Sequence, residues 1–247
     1  NDASYHDMYY MNPPAKDLSK IASSDKVKKV QKDFEATHVR PERLMKTLFT
    51  DEAYVKANVD EARLMRRLFD LACNMQSHDT DMQLYSLFTD EECYDLWSCN
   101  NLYWYLTHAC SPVTDGLMPY READLLRNIL DRADAALKEG KNQATLRFGH
   151  ESCLLPLVAL LELNHYGESY PDVEKLSEQW RAYDIFPMAS NVQFVFFHKK
   201  GSNDVLVKVL LNEKEAKLPV KTDVAPYYHW KDVESYYREK LDKYQHI

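Results

Sequence analysis

Glycine is scarce in this chain, and its scarcity removes two common classes of binding site. Only 5 of the 247 residues are Gly, about 2% where roughly 7% is usual. The chain contains no Gly-x-Gly-x-x-Gly and no Gly-x-x-x-x-Gly-Lys pattern. Dinucleotide binding on a Rossmann turn and phosphate binding on a P-loop therefore have no support. Few glycines also favour helices over glycine-rich loops.

A surplus of basic charge is likewise missing. Acidic residues number 39 against 31 Lys and Arg, which gives a net charge of −8 and a pI near 5.6. Because nucleic-acid binders normally carry a basic surplus, we expect no nucleic-acid partner. An anionic substrate would need a local basic pocket, since the overall field repels it.

Cysteine pairs and long apolar runs are also lacking. The five Cys include no Cys-x-x-Cys pair and no His at zinc spacing, so we predict no metal site. One disulfide would fit an exported protein. The longest apolar run, residues 153–163, is too short for a membrane span. The chain begins without Met and without an apolar leader, as expected for a processed protein or a fragment.

Apolar periodicity predicts a helical region over residues 1–140. Helices are expected at 25–37, from Pro41, over 51–75, from Thr89 and over 119–138. Thr89 and Glu92 have the spacing of a capping box, and Gly140 has the position of a helix C-terminal residue.

Residues 141–247 have a mixed α/β pattern. We predict a short strand at 143–149 and a buried helix at 153–163. A hairpin follows, formed by 192–197 and 205–211 around a Lys-Lys-Gly-Ser-Asn-Asp turn, and a polar helix covers 230–244.

The junction between the predicted strand and helix carries the chemistry. His150 and Glu151 follow Gly149, at a helix N-terminus that favours a phosphate group. A His can stabilise phosphoryl oxygens, and a carboxylic acid can protonate a leaving alcohol oxygen. From the residues alone, however, a capping His followed by a first-turn acid is the commoner interpretation.

Three stretches resemble the histidine acid phosphatases, in particular the multiple inositol polyphosphate phosphatase branch. They are the motif Phe-Gly-His-Glu-Ser-Cys-Leu-Leu-Pro-Leu at 148–157, the cap-like segment 87–105 and the hairpin segment 205–218. The resemblance implies the C-terminal portion of a histidine phosphatase (phosphoglycerate mutase-like) α/β sandwich with a large all-α cap. It also implies hydrolysis of phosphomonoesters such as phytate through a phosphohistidine, with no cofactor, in an exported (periplasmic or extracellular) protein.

Two departures from the family pattern limit what carries over. No Arg-His-Gly-x-Arg-x-Pro nucleophile motif occurs, so we expect a C-terminal fragment, inactive without the missing N-terminal half. Where the branch has His-Ala-Glu, this chain has His150-Glu151-Ser152. The resemblance therefore assigns proton donation to Glu151 and phosphate binding to His150, and leaves Ser152 only a hydroxyl to offer.

Further substrate-binding candidates are basic. Arg147 precedes the motif, and Arg40 and Arg43 lie in a basic stretch of the helical region. For Arg40 and Arg43, a solvent-exposed helix face is the simpler interpretation.

The His78-Asp79-Thr80 sequence copies the phytase motif but follows a helix, so we expect a loop or capping role. Two other functions stay open: a non-catalytic helical interaction protein, and a metallohydrolase for which no third ligand is evident.

Overall fold

The computed structural model describes residues 16–141 and 143–244. These residues form two compact units, one comprising residues 25–103 and the other residues up to 24 together with those from 104 onward. The predicted division at residue 140 stays a prediction, and residues 1–15 of the predicted helical domain lie outside the described part.

The unit of residues 25–103 is helical. Its α-helices are α2 (Asp25–His38), α3 (Glu42–Leu48), α4 (Glu52–Asn58), α5 (Glu61–Asn74) and the first part of α6 (Asp90–His108). Short 3₁₀ turns occupy Met75–Ser77 and Tyr85–Leu87. The core is apolar and comprises Leu44, Met45, Val55, Met65, Ala72, Phe88 and Leu96.

The single helix predicted over 51–75 is wrong, because two helices occupy this stretch. Asp60 takes an extended conformation and its side chain accepts a hydrogen bond from the backbone N–H of Arg63. Asp51 does the same for Tyr54. Each Asp thus starts its own helix, since an N-cap carboxylate satisfies N–H groups that would otherwise have no partner. The apolar stripe continues across the break.

The second unit contains the sheet and the remaining helices. Its α-helices are α1 (Lys16–Ala22), the end of α6, α7 (Ala123–Glu139), α8 (Glu151–Leu160), α9 (Leu176–Gln179), α10 (Ala182–Ile185) and α11 (Trp230–Tyr244). Short 3₁₀ helices lie at Pro112–Thr114, Met118–Glu122 and Val173–Lys175. As predicted, Gly140 ends α7 in the left-handed conformation, with φ of 64°.

The hairpin prediction is confirmed. Strands β1 (Val192–His198) and β2 (Val205–Leu211) pair antiparallel, with Phe194 opposite Val209. The two-residue strands β3 (Lys214–Glu215) and β4 (Tyr228–His229) both pair with β2, also antiparallel. Alternate residues of β2 are buried, and α11 packs against this strand.

Helix α8 is largely buried within its unit. Its residues from Leu155 to Leu160 are all buried, and it packs on the 3₁₀ helix Met118–Glu122. Pro156 is the sixth residue of the helix, beyond the first turn, so its missing N–H removes the hydrogen bond that the Ser152 carbonyl would otherwise accept. The C-terminal end is held by Tyr237 of α11, whose hydroxyl donates to the carbonyl of Leu161 at 2.7 Å. Apolar burial on all sides therefore fixes the helix and, with it, the residues at its N-terminus.

Candidate active site

The segment before the His-Glu pair is extended but belongs to no strand. The prediction of a strand over 143–149 is wrong for the described residues, which contain no strand paired with this segment. Two of its apolar side chains, Leu146 and Phe148, are 75% and 83% exposed. A strand requires a hydrogen-bonding neighbour, and the described part of the chain places none there.

His150 stands at the N-cap position of α8. Its backbone is extended, with φ of −109° and ψ of 164°, and its side chain makes no capping hydrogen bond. Its carbonyl accepts the N–H groups of Cys153 and Leu154, at 3.0 and 3.1 Å. The backbone is therefore fixed by the helix while the imidazole is exposed. This is not a histidine that uses its side chain to cap the helix.

Glu151 is the first residue of the helix, also exposed, and Ser152 follows it half-buried. The first N–H groups of a helix have no intrahelical acceptor, and the helix dipole adds a partial positive charge there. An anionic phosphoryl group is favoured at such a position. The structure thus places an exposed imidazole and an exposed carboxyl on consecutive residues at this helix N-terminus.

Arg147 lies three residues before the pair. Its guanidinium donates to the side-chain oxygen of Asn128, in α7, at 2.6 Å. The predicted site residues Arg147, His150, Glu151 and Ser152 therefore fall within one short stretch of the same compact unit. The assignment of each to substrate binding or catalysis stays a prediction.

Arg40 and Arg43 belong to the other compact unit and bind carboxylates there. Arg40 donates to Glu91 at 2.8 Å and to Asp95 at 2.5 Å. Arg43 donates through Nε to Glu92 at 2.7 Å and through Nη2 to the Leu87 carbonyl at 2.6 Å. Both guanidinium groups are thus paired with carboxylates of the same unit. Their substrate-binding role stays a prediction.

The phytase-like sequence at residues 77–80 adopts a loop. His78, Asp79 and Thr80 are exposed after the 3₁₀ turn that follows α5. The Thr80 hydroxyl oxygen accepts the N–H of Met82 at 3.2 Å. These contacts fit the expected loop role.

Sequence patterns give no sign of a buried acid under the start of α8. Glu122 is 1% exposed, and its Oε1 has no hydrogen-bond partner among the described residues. Burial raises the pKa of Glu122 to about 8, opposed by Arg121. The pKa of Cys153, in the first turn of α8, is raised to about 11 by burial and then by the charge of Glu122. Glu122 is therefore protonated at neutral pH and close to the site's supporting helix.

His108 is a second buried group in this unit. Burial lowers the pKa of His108 to about 4, and the charge of Arg121 adds to the effect. The Thr107 hydroxyl lies 2.7 Å from His108 Nδ1. At neutral pH the imidazole is therefore uncharged.

Cysteines and metal ligands add no site. The five cysteines, all among the described residues, form no disulfide, so the one disulfide that would have fitted an exported protein is not present. Across residues 16–141 and 143–244, no three His, Cys, Asp or Glu side chains come together in a way that could hold a metal ion. None of the described helices is long and apolar enough to cross a bilayer.

Comparison with known proteins identifies the family. The model of the histidine phosphatase superfamily (branch 2) matches residues 2–212. The chain belongs to the histidine phosphatase superfamily. The matched range includes the His150-Glu151 pair and the hairpin strand β1, so the family predicted from the motif at 148–157 is confirmed.

Solved structures of a bacterial superfamily member share the fold. The multiple inositol polyphosphate phosphatase of Bifidobacterium longum in complex with phosphate superposes with a TM-score of 0.62 and 19% identity, covering 98% of this chain and 56% of that one. Its complex with inositol hexasulfate gives 0.57, covering 95% and 54%. The predicted fold class is confirmed.

A human relative is also similar. Multiple inositol polyphosphate phosphatase 1 of Homo sapiens is 28% identical over 134 residues, which covers 49% of this chain and 27% of that protein. The chain thus spans little more than half the length of the bacterial structures and about a quarter of the human protein.

Proposed function

We propose that this chain supplies the acid-donor part of a phosphomonoesterase that acts on inositol polyphosphates. The observation that carries the proposal is the exposed His150-Glu151 pair at the N-terminus of α8. It lies in a chain that belongs to the histidine phosphatase superfamily. The relatives named above are inositol polyphosphate phosphatases, and one is solved with inositol hexasulfate, which supports the substrate class.

The reaction proceeds through a phosphohistidine. A nucleophilic imidazole nitrogen attacks phosphorus, the bond from phosphorus to the alcohol oxygen breaks, and Glu151 transfers its proton to that oxygen. His150 and the free N–H groups of the helix start bind the phosphoryl oxygens. In the second step Glu151, now a carboxylate, takes a proton from water as the water oxygen attacks phosphorus and the P–N bond breaks.

The nucleophile comes from the N-terminal half of the same protein. No Arg-His-Gly occurs in this sequence, so the attacking histidine and its arginines belong to a segment that this chain does not contain. The segment 143–149, with Leu146 and Phe148 exposed, is where that N-terminal half docks as a neighbouring strand. By itself the chain is inactive. We propose that the complete protein is exported, as the resemblance implies.

One alternative is a non-catalytic interaction protein that keeps the fold. The absence of the nucleophile motif favours it, as does Ser152 at the position where the related branch has Glu. The encoding gene separates the two proposals. An Arg-His-Gly-x-Arg-x-Pro segment encoded upstream of Asn1 supports the enzyme, whereas its absence supports the interaction protein.

The test of catalysis uses the complete gene product with phytate as substrate near pH 5. Glu151→Gln should lower turnover about 100-fold or more, because general acid catalysis contributes this much. Glu139→Gln, an exposed acid at the end of α7, removes the same charge and should leave turnover unchanged. Equal turnover in the Glu151→Gln variant and the unaltered protein would overturn the assignment.

A further inference from the structure

A cleft of about 540 Å³ opens at the C-terminal end of α8, away from the His150-Glu151 pair. Its walls come from four parts of the same compact unit: the turn after the 3₁₀ helix Pro112–Thr114, the residues around Tyr120, the end of α8 with the loop that follows, and α11. A volume of this size accommodates a small organic molecule. The ten residues of α8 place it about 15 Å from the proposed phosphate position.

The charged side chains of the cleft leave a net negative charge. Lys240 donates to the Leu160 carbonyl at 2.7 Å and pairs with Glu162 at 3.2 Å. Glu162 also accepts a hydrogen bond from the Tyr236 hydroxyl at 2.5 Å. Asp115 lines the same cleft, is exposed, and has no ion-pair partner among the described residues. The cleft is thus lined by two carboxylates and one ammonium group, and that ammonium group already pairs with Glu162.

The remaining surface is aromatic and apolar. Tyr120 lines the cleft and stacks on Tyr244 of α11, with ring centroids 4.2 Å apart and planes 13° from parallel. Ala159, Leu160 and Pro119 add apolar wall. A cleft lined by both an aromatic ring and an unpaired carboxylate suits an organic cation, because a ring face and a carboxylate both attract positive charge.

The backbone holds the two carboxylate residues in place. Asp115 and Glu162 both have left-handed conformations, with φ of 53° and 52°. Gly167, also in the cleft wall, lies so close to Glu162 that a Cβ at Gly167 would come within 2.5 Å of Glu162 Cγ and 2.9 Å of its Cα. The backbone of Gly167 therefore packs closely against Glu162 in the wall of the cleft.

We propose that this cleft binds a small organic ammonium ion, such as an aromatic or alkyl amine, with Asp115 as its counter-ion and Tyr120 as its aromatic wall. The site is separate from the proposed phosphate site and of opposite charge preference. Binding of an amine at this cleft does not require phosphatase activity, so the two proposals can be tested independently.

The test titrates the 247-residue chain at pH 7 with three probes of matched shape: benzylammonium chloride, sodium benzoate and benzyl alcohol. Binding is followed by the amide NMR signals of Gly116 and Gly167, which line the cleft. Benzylammonium should shift both signals, and the other two probes should bind at least about fivefold more weakly, the factor expected for loss of one partly exposed charge contact.

Two variants complete the design. Asp115→Asn should weaken benzylammonium binding about fivefold, and it should fold, because Asn tolerates the left-handed conformation. Asp81→Asn, an exposed acid in the other compact unit, changes the net charge equally and should leave binding unaltered. Benzoate binding as well as benzylammonium, no shift at either glycine with benzylammonium, or an unaffected Asp115→Asn variant would each overturn the proposal.

Discussion

Thr89 and Glu92 cap each other at the start of α6. The Thr89 hydroxyl oxygen accepts the N–H of Glu92 at 3.1 Å, and Glu92 Oε2 accepts the N–H of Thr89 at 2.9 Å. Arg43 binds the same carboxylate and, with the Thr89 contact, lowers the pKa of Glu92 against the opposing effect of burial. A helix cap and an ion pair therefore share one side chain.

Removing this cap should destabilise the unit of residues 25–103. Thr89→Ala should lower the free energy of unfolding by about 1 kcal/mol, the usual loss for an N-cap hydroxyl. Urea denaturation at pH 7 measures the difference. Thr89→Ser keeps the hydroxyl and should recover most of the stability; a serine variant as unstable as the alanine one would mean that the cap is not the cause.

Glu122 should make the protein less stable as pH rises. Its folded-state pKa of about 8 lies above its ordinary value of 4.5, so the unfolded chain releases the proton first. The contribution of Glu122 to stability is complete below about pH 4.5 and is lost between there and pH 8, with a slope of at most about 1.4 kcal/mol per pH unit.

Glu122→Gln tests this effect, because Gln is neutral at every pH. The free energy of unfolding, measured in urea from pH 5 to pH 8, should fall less steeply in the variant than in the unaltered chain. Glu139→Gln, which removes an exposed acid, should retain the original slope. Parallel curves for Glu122→Gln and the unaltered chain would show that this carboxyl is already ionised in the folded protein.

His229 should titrate above its ordinary value of 6.5. Its Nδ1 lies 3.0 Å from the Asp204 carboxylate and its Nε2 lies 3.0 Å from Asp223. The pKa of His229 is raised first by Asp204 and then by Asp223. The stabilisation from the charged imidazole is thus complete below pH 6.5 and is lost as pH rises through the folded-state pKa.

NMR titration of the His229 ring protons measures this pKa directly. Asp204→Asn should bring it down towards 6.5, whereas Asp81→Asn, in the other compact unit, should leave it in place. A His229 titration that is identical in Asp204→Asn and the unaltered chain would contradict the assigned cause.

The exposed pair Leu146 and Phe148 should promote self-association of the isolated chain. Two neighbouring large apolar side chains on an extended, unpaired segment form a site for intermolecular contact. Sedimentation velocity over a range of concentrations should show association that Leu146→Ser with Phe148→Ser abolishes. Met188→Ser removes an apolar side chain that is 97% exposed but lies elsewhere, and it should not change the association. A double variant that associates like the unaltered chain would exclude this segment.

Local signals in the sequence predicted the elements that depend on neighbouring residues. The capping box at Thr89, the helix end at Gly140 and the hairpin around Gly201 follow from short-range hydrogen bonds and turn preferences, and all three are present. The prediction of one helix over 51–75 was wrong because the apolar stripe is continuous, whereas the backbone hydrogen bonding is interrupted at Asp60. Apolar periodicity does not detect an N-cap residue within a continuous stripe.

Features that depend on distant residues could not be predicted in this way. A strand at 143–149 requires a partner strand, which the sequence of the segment does not specify. The burial of Glu122 results from α8 packing on the 3₁₀ helix Met118–Glu122. The motif predicted catalytic roles for His150 and Glu151; both residues are exposed at the start of α8, and their roles stay predictions.

The close approach of Gly167 to Glu162 has a consequence for mutational scanning. Any side chain at position 167 would push Glu162 away, and with it the hydrogen bond from Tyr236 and the ion pair with Lys240 that join the end of α8 to α11. A saturation library should therefore show position 167 accepting glycine alone. The cause of this intolerance would be a steric clash at a half-buried loop position, not a role of Gly167 in catalysis.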